Sequence, residues 1–292
     1  DQIQVFSKWR QRLWPVHGYE MKKFIPIIII KFFITFIYTI LREAKDTLIV
    51  TADNSGAEAI PVLKGWFVLP VAFLVMLLYS KLSTKYSRST MFYGVIGSFL
   101  TFFALYAFVL FPYRDLLCPH ASADYLVSVL GPERQHLIAV YRYWMNSLFF
   151  VAAELWGGMC IGLLFWGFAN HINRIDEAKR FYTLFSAGGD LAVMTAAPIL
   201  WYSSTIFSHE DFSITLKYLI SIVIFAGILI MASYWWVNRY VLTDPRFYTE
   251  EEQLQKKKSK PKLSLKESLL FLAQSRYLAC IAFMVIAYGL AF

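Results

Sequence analysis

Charged side chains are scarce in this sequence. Only 16% of its 292 residues are Asp, Glu, Lys or Arg, while 58% are hydrophobic and 18% aromatic. Soluble domains carry about a quarter charged residues, so a water-exposed exterior on all sides is excluded. Cysteine is scarcer: Cys118, Cys160 and Cys280 lie far apart, with no CxxC pair. That removes a disulfide framework and a thiolate metal site. No GxxxxGK[ST] run is present to cradle phosphates for hydrolysis, and no HExxH, GxSxG or Cys–His arrangement occurs. ATP-driven pumping and hydrolase chemistry therefore lack their parts, and neither a metal nor a cofactor is expected. The apolar runs are long and do not alternate, which excludes a closed β-barrel. The chain starts at Asp1 without Met and stops at Phe292 inside an apolar stretch, so we read it as one part of a longer polypeptide.

What is present is a series of apolar runs. A bilayer core needs about 20 such residues per helix, and six runs meet that length: 24–44, 62–80, 91–111, 141–168, 181–202 and 216–238. A seventh begins near Tyr277 and is cut off at Phe292. The expected fold class is an all-α polytopic membrane protein. Residues 1–23 form a cytoplasmic amphipathic segment, 24–238 a six-helix bundle, 239–276 a basic cytoplasmic linker and 277–292 the start of a truncated seventh helix. The basic residues alternate in their favour for one side: Lys22 and Lys23, then Lys81 and Lys85, Arg174 and Arg180, and last the Lys256–Lys262 cluster. The positive-inside rule makes that side, and the N-terminus, cytoplasmic. The net charge of +8 therefore reflects helix-end anchors beside lipid, not nucleic-acid binding. Six helices, a basic linker and a new hydrophobic series is the layout of a two-halved secondary transporter.

A few polar groups interrupt the runs. The first run carries Lys31, Thr35, Tyr38, Arg42 and Lys45 at helical spacing, which puts them on one stripe that would line an aqueous cavity. The competing reading has Lys31 and Arg42 snorkel to opposite interfaces. Glu43 and Asp46 are available to pair with Arg42 or Lys45. In the fourth run Tyr143, Ser147, Phe150, Glu154 and Gly158 share a face. Glu154 lies about 16 Å along the helix from Tyr143, near the bilayer centre, where a charge costs roughly 2.5–3.5 kcal/mol. It marks either a substrate or coupling site or a structural ion pair, with Lys45 as the obvious counter-charge. Gly157 and Gly158 permit a close approach beside it. Asp190, in the fifth run, reads as a second intramembrane acid or as a backbone-bonded one. Lys64 and Asn170 sit near helix ends and read as interface residues or ligands. Trp66, Tyr143 and Phe150 are aromatic groups that offer stacking surfaces.

Three stretches carry a resemblance. They are Leu41-Arg42-Glu43-Ala44-Lys45-Asp46-Thr47-Leu48, Ala153-Glu154-Leu155-Trp156 with Phe165-Trp166-Gly167-Phe168-Ala169-Asn170, and Glu177-Ala178-Lys179-Arg180-Phe181-Tyr182. In order and content they resemble the ATP/ADP translocases of obligate intracellular bacteria and plastids. The basic loop Ser80–Ser89 also resembles that of the major facilitator superfamily, without its usual Gly and Asp. The resemblance implies a twelve-helix, major-facilitator-like carrier, working as a monomer in a bacterial inner membrane. It would import host ATP in exchange for ADP, with phosphate leaving beside ADP, and its motif positions map to Lys45 and Glu154. An empty cavity would then leave its cations unneutralised, so that only the loaded carrier crosses. The alternatives are a proton-coupled or broader-specificity nucleotide carrier of the same fold, or a non-transporting membrane enzyme or assembly protein.

Overall fold

A computed structural model of the chain describes residues 14–53, 55–207 and 211–243, and a few residues between 274 and 284. The chain divides into two compact units, Asp1–Thr243 and Asp244–Phe292. The second is represented by Gln274, Ala279, Cys280 and Met284 in helical conformation, with Ser275 between them. Residues 1–13 of the expected amphipathic segment, the linker from 244 to 273 and most of the expected seventh helix lie outside the described residues.

The first unit holds six helices long and apolar enough to cross a membrane. They are α1 (Gly18–Val50), α2 (Ala59–Lys85), α3 (Arg88–Leu117), α6 (Trp144–Ile172), α7 (Ile175–Ile206) and α8 (Phe212–Val241). Two shorter helices, α4 (His120–Leu130) and α5 (Gln135–Arg142), lie between α3 and α6. No strand occurs among the described residues. Helix is the form in which an apolar segment meets all its backbone hydrogen bonds internally, as lipid requires. Polar side chains set where several helices start. Ser87 accepts from the Thr90 amide ahead of α3, Glu177 accepts from the Arg174 amide at the head of α7, and Asp211 accepts from the Ser213 amide ahead of α8.

The six runs are confirmed, with one correction. The fourth run does not form one helix over 141–168. The chain breaks at Tyr143 (φ −104°, ψ 47°), separating α5 from α6. The physical reason is Ser147, whose hydroxyl donates to Val140 O at 3.0 Å. It thereby occupies a carbonyl that the break leaves without its helical partner.

α1 is the hub of the bundle. It packs on α7, α8 and α6, and 61% of its most apolar window is buried against 6% for α2. α2 instead presents Trp66, Phe73, Leu74 and Met76 outward, a surface suited to lipid. At the N-terminal end of α1 a charged clamp ties it to the α6–α7 connection. Lys23, fully buried, donates to Ile172 O at 3.0 Å and pairs with Glu177 at 2.6 Å. Arg180 of α7 grips both carboxylate oxygens of buried Glu20 at 3.0 and 2.6 Å and donates to Pro15 O.

Candidate functional site

The other end of α1 builds a second charged cluster. α1 delivers Lys45, only 3% exposed, and α6 delivers Glu154, 18% exposed. Lys45 Nζ lies 3.1 Å from Glu154 Oε1 and donates to Asp46 Oδ1 at 2.6 Å. From α2, Lys64 Nζ reaches the same Glu154 oxygen at 3.8 Å. Two lysines and two acids thus share one cluster contributed by three helices. Beneath Lys45, at 4.1 Å, lies the ring of Phe150. Phe150 belongs to a buried apolar group with Ile49, Ala59, Leu63 and Val140. A floor of this kind keeps water from one side of the cations and strengthens their field.

Local backbone form places these charges. After a first α-helical turn, Ala59–Val62, α2 widens into a π-helical stretch, Leu63–Val68, that contains Lys64, and α6 changes to the same wide form at Gly157–Phe165, one turn beyond Glu154. Such departures from regular α-helix are rare and frequent at functional sites. Tyr38 of α1 closes the adjoining space: a Cβ at Gly157 would come within 2.7 Å of its ring. Glycine is needed there because any side chain would push the aromatic ring off α6.

The structure brings together Lys45, Glu154 and Lys64, with Tyr38 packed one turn away. The remaining candidates lie elsewhere. Arg42 is exposed, and among the described residues no carboxylate pairs with it. Tyr143 and Ser147 belong to the break between α5 and α6. Tyr143 stacks edge-on to His120, and Ser147 spends its hydroxyl on the backbone. Ser147 stays in helical register with Glu154 on α6, whereas Tyr143, at the break, leaves that face. Asn170 accepts from the Tyr182 hydroxyl near the α6–α7 connection. Asp190 is exposed and is the acid whose charge bears on Lys31. Lys31 itself does not snorkel; it is 8% exposed. Trp66 points outward, 79% exposed, so it does not join the cluster. Asn146 bridges Leu48 O and the Tyr106 hydroxyl as a packing element. Sequence reasoning gave Phe150 a stacking role and missed its seat under the Lys45 amine; its spacing of four from Glu154 was the available signal.

Among the described residues no group of His, Cys, Asp and Glu could hold a metal ion. The cluster offers fixed cations, exchangeable acids and an aromatic floor, which together can hold and release a polyanion.

The profile of the TLC ATP/ADP transporter family matches residues 1–292. The chain is 48% identical to ADP,ATP carrier protein 1 of Chlamydia pneumoniae, over 98% of this chain and 56% of that one. It is 42% identical to the chloroplastic ADP,ATP carrier protein 2 of Arabidopsis thaliana, over 96% of this chain and 45% of that one. It is 39% identical to ADP,ATP carrier protein 1 of Rickettsia prowazekii (strain Madrid E), over 98% of this chain and 57% of that one. The chain therefore spans about half the length of the curated relatives it matches. No solved structure matches it. With a match along its whole length and these levels of identity, the chain belongs to the TLC ATP/ADP transporter family.

Proposed function

We propose that this chain is the six-helix half of an antiporter that exchanges ATP for ADP, with phosphate accompanying ADP. It would do so by alternating access in a bacterial inner membrane, with the N-terminus cytoplasmic and the carrier acting as a monomer that imports host ATP. The relatives carry names of ADP,ATP carriers, which supports the substrate class. The observation that carries the reading is the shared carboxylate: Lys45 and Lys64 both lean on Glu154 inside membrane-crossing helices. Their attachment to the acid is of a kind that a phosphate tail can replace, because a phosphate offers the same charge and more acceptor oxygens. A nucleotide entering the site takes the lysine amines, and Glu154 and Asp46 swing back when it leaves.

This cluster changes where the coupling to exchange resides. The empty site is already balanced, two lysines against two acids, so an unloaded carrier incurs little charge penalty from Lys45. The penalty for occluding an empty cavity falls on Arg42 and Lys31, which have no salt bridge to an acid among the described residues. Burying such a charge costs several kcal/mol, and a bound anion removes that cost.

The test is flux into vesicles bearing the full-length carrier. Preloading with ADP is expected to speed uptake of labelled ATP well above that into empty vesicles, and equal rates in both would remove obligatory exchange. Uptake that collapses with an uncoupler would replace this reading with a proton-coupled nucleotide carrier.

A further inference from the structure

From Ala59 to Arg114 the sequence contains no Asp or Glu. α2 and nearly all of α3 are therefore without a carboxylate, yet Lys81, Lys85 and Arg88 crowd the turn between them. All three are exposed. Among the described residues none of them forms an ion pair. Beside that turn a groove of about 580 Å³ opens between α2 and α3, with α6 as its floor. Leu78 and Leu82 of α2, Val95 and Phe99 of α3, and Leu155 and Met159 of α6 line it. Along α3 the lining runs from Thr90 to Phe102, about 18 Å of helix. Half of a bilayer core is about 15 Å deep, so the groove has the depth of one leaflet. Its mouth lies at the turn, where Tyr79, Tyr86 and Thr90 border it. There the Lys85 amine stands 5.6 Å over the Tyr86 ring, and the Arg88 charge bears on the Tyr79 hydroxyl. Lys81 lies one helical turn before Lys85, on the same face of α2.

We propose that this groove holds one anionic phospholipid, with an acyl chain between α2 and α3 and the headgroup phosphate on Lys85 and Arg88. The apolar walls need apolar surface from their occupant, since only 6% of the most apolar window of α2 is buried by protein. The mouth needs an anion, because α2 and α3 offer no acid there. A phosphodiester accepts charge-assisted hydrogen bonds from guanidinium and ammonium alike. Apolar depth of one leaflet ending in unpaired positive charge matches a lipid better than a protein segment. A zwitterionic headgroup carries its own ammonium to the same point, where Lys85 and Arg88 repel it. The lipid braces α2, the helix that bears Lys64, whatever the carrier moves.

The experiment measures thermal stabilisation of the purified, delipidated full-length carrier. It is titrated with phosphatidylglycerol or phosphatidylethanolamine of matched acyl chains, and with glycerol phosphate. Phosphatidylglycerol is expected to stabilise at lower concentration than phosphatidylethanolamine, and glycerol phosphate not at all. In Lys85→Gln/Arg88→Gln the affinity for phosphatidylglycerol falls about ten- to thirtyfold, the effect of losing two basic contacts to an anionic lipid, while that for phosphatidylethanolamine stays. Either single change serves if the pair does not fold. Lys179→Gln/Arg239→Gln, which removes two exposed cations elsewhere, keeps the preference. Gly94 lines the groove, and a Cβ there meets no heavy atom within 4 Å. Gly94→Leu therefore fills the groove without a clash and is expected to weaken the response to both lipids. Equal stabilisation by the two lipids, as when the second half of the carrier covers the groove, overturns the proposal. So does a response to glycerol phosphate equal to that of the lipid, a preference lost equally in Lys179→Gln/Arg239→Gln, or a folded Gly94→Leu carrier with an unchanged lipid response.

Discussion

Lys23 and Lys45 sit on the same helix, are nearly inaccessible to solvent, and pair with acids of the α6–α7 region. They nevertheless do different things. The Glu177 carboxylate that pairs with Lys23 also accepts from the Arg174 amide, and the Lys23 amine has a second acceptor in Ile172 O. Glu20 likewise receives both guanidinium nitrogens of Arg180 and the His17 amide. The additional partners in that clamp are backbone groups held by the chain itself. At the other end Lys45 divides itself between Asp46 and Glu154, and Glu154 is shared with a second lysine at longer range. Similar side-chain chemistry thus stands in two settings: at the clamp the extra partners are backbone groups, and at the cluster a second lysine competes for the same carboxylate. Burial alone does not distinguish the two; the nature of the additional partners does.

The comparison can be broken most forcefully at the clamp. Glu177→Ala leaves Lys23 buried without its acid and is expected to destabilise the full-length carrier by about 3–5 kcal/mol. Thermal unfolding measures this; a change near zero would mean that the clamp is not structural. Lys45→Ala is expected to act on transport instead. Losing charged hydrogen bonds of about 1.5–3 kcal/mol lowers exchange by about ten- to a hundredfold, with a smaller change in unfolding temperature than the clamp variant shows. Wild-type flux from a folded Lys45→Ala carrier would remove the residue from the site. Gly157→Ala forces Tyr38 aside, and overpacking of this kind costs about 1–3 kcal/mol; the substrate dependence of flux should shift because the ring packs on Gly157, one turn from Glu154. Ser147→Ala removes one hydroxyl bond to the Val140 carbonyl, worth about 1 kcal/mol. It should lower stability slightly and leave nucleotide affinity unchanged, whereas a loss of affinity would return Ser147 to the site.

Much of the fold was legible because lipid imposes it. Apolar runs of bilayer length can only become helices, and the six runs do. The Tyr143 break was not legible, since it depends on a hydroxyl reaching a carbonyl seven residues earlier. The pairing of Lys45 with Glu154 was anticipated from their isolation in apolar surroundings. That Lys64 joins them was not decidable from its position near a helix end, because it depends on how α2 docks beside α6. Lys31 shows the opposite case: a lysine in the first run has a free route to an interface in principle, and only the packing of α7 and the Phe165 and Trp166 rings against α1 holds it inside.

The sequence by itself determined the class of molecule, the number of crossing helices and which charges stand alone in apolar segments, because transfer of charge and unpaired backbone into lipid is costly whatever the neighbours are. Which lysine is joined at its acid by backbone groups, which by a second lysine, and which has no salt bridge among the described residues was decided only by the tertiary structure, because distance between helices, and not order along the chain, sets the energy of a charge pair.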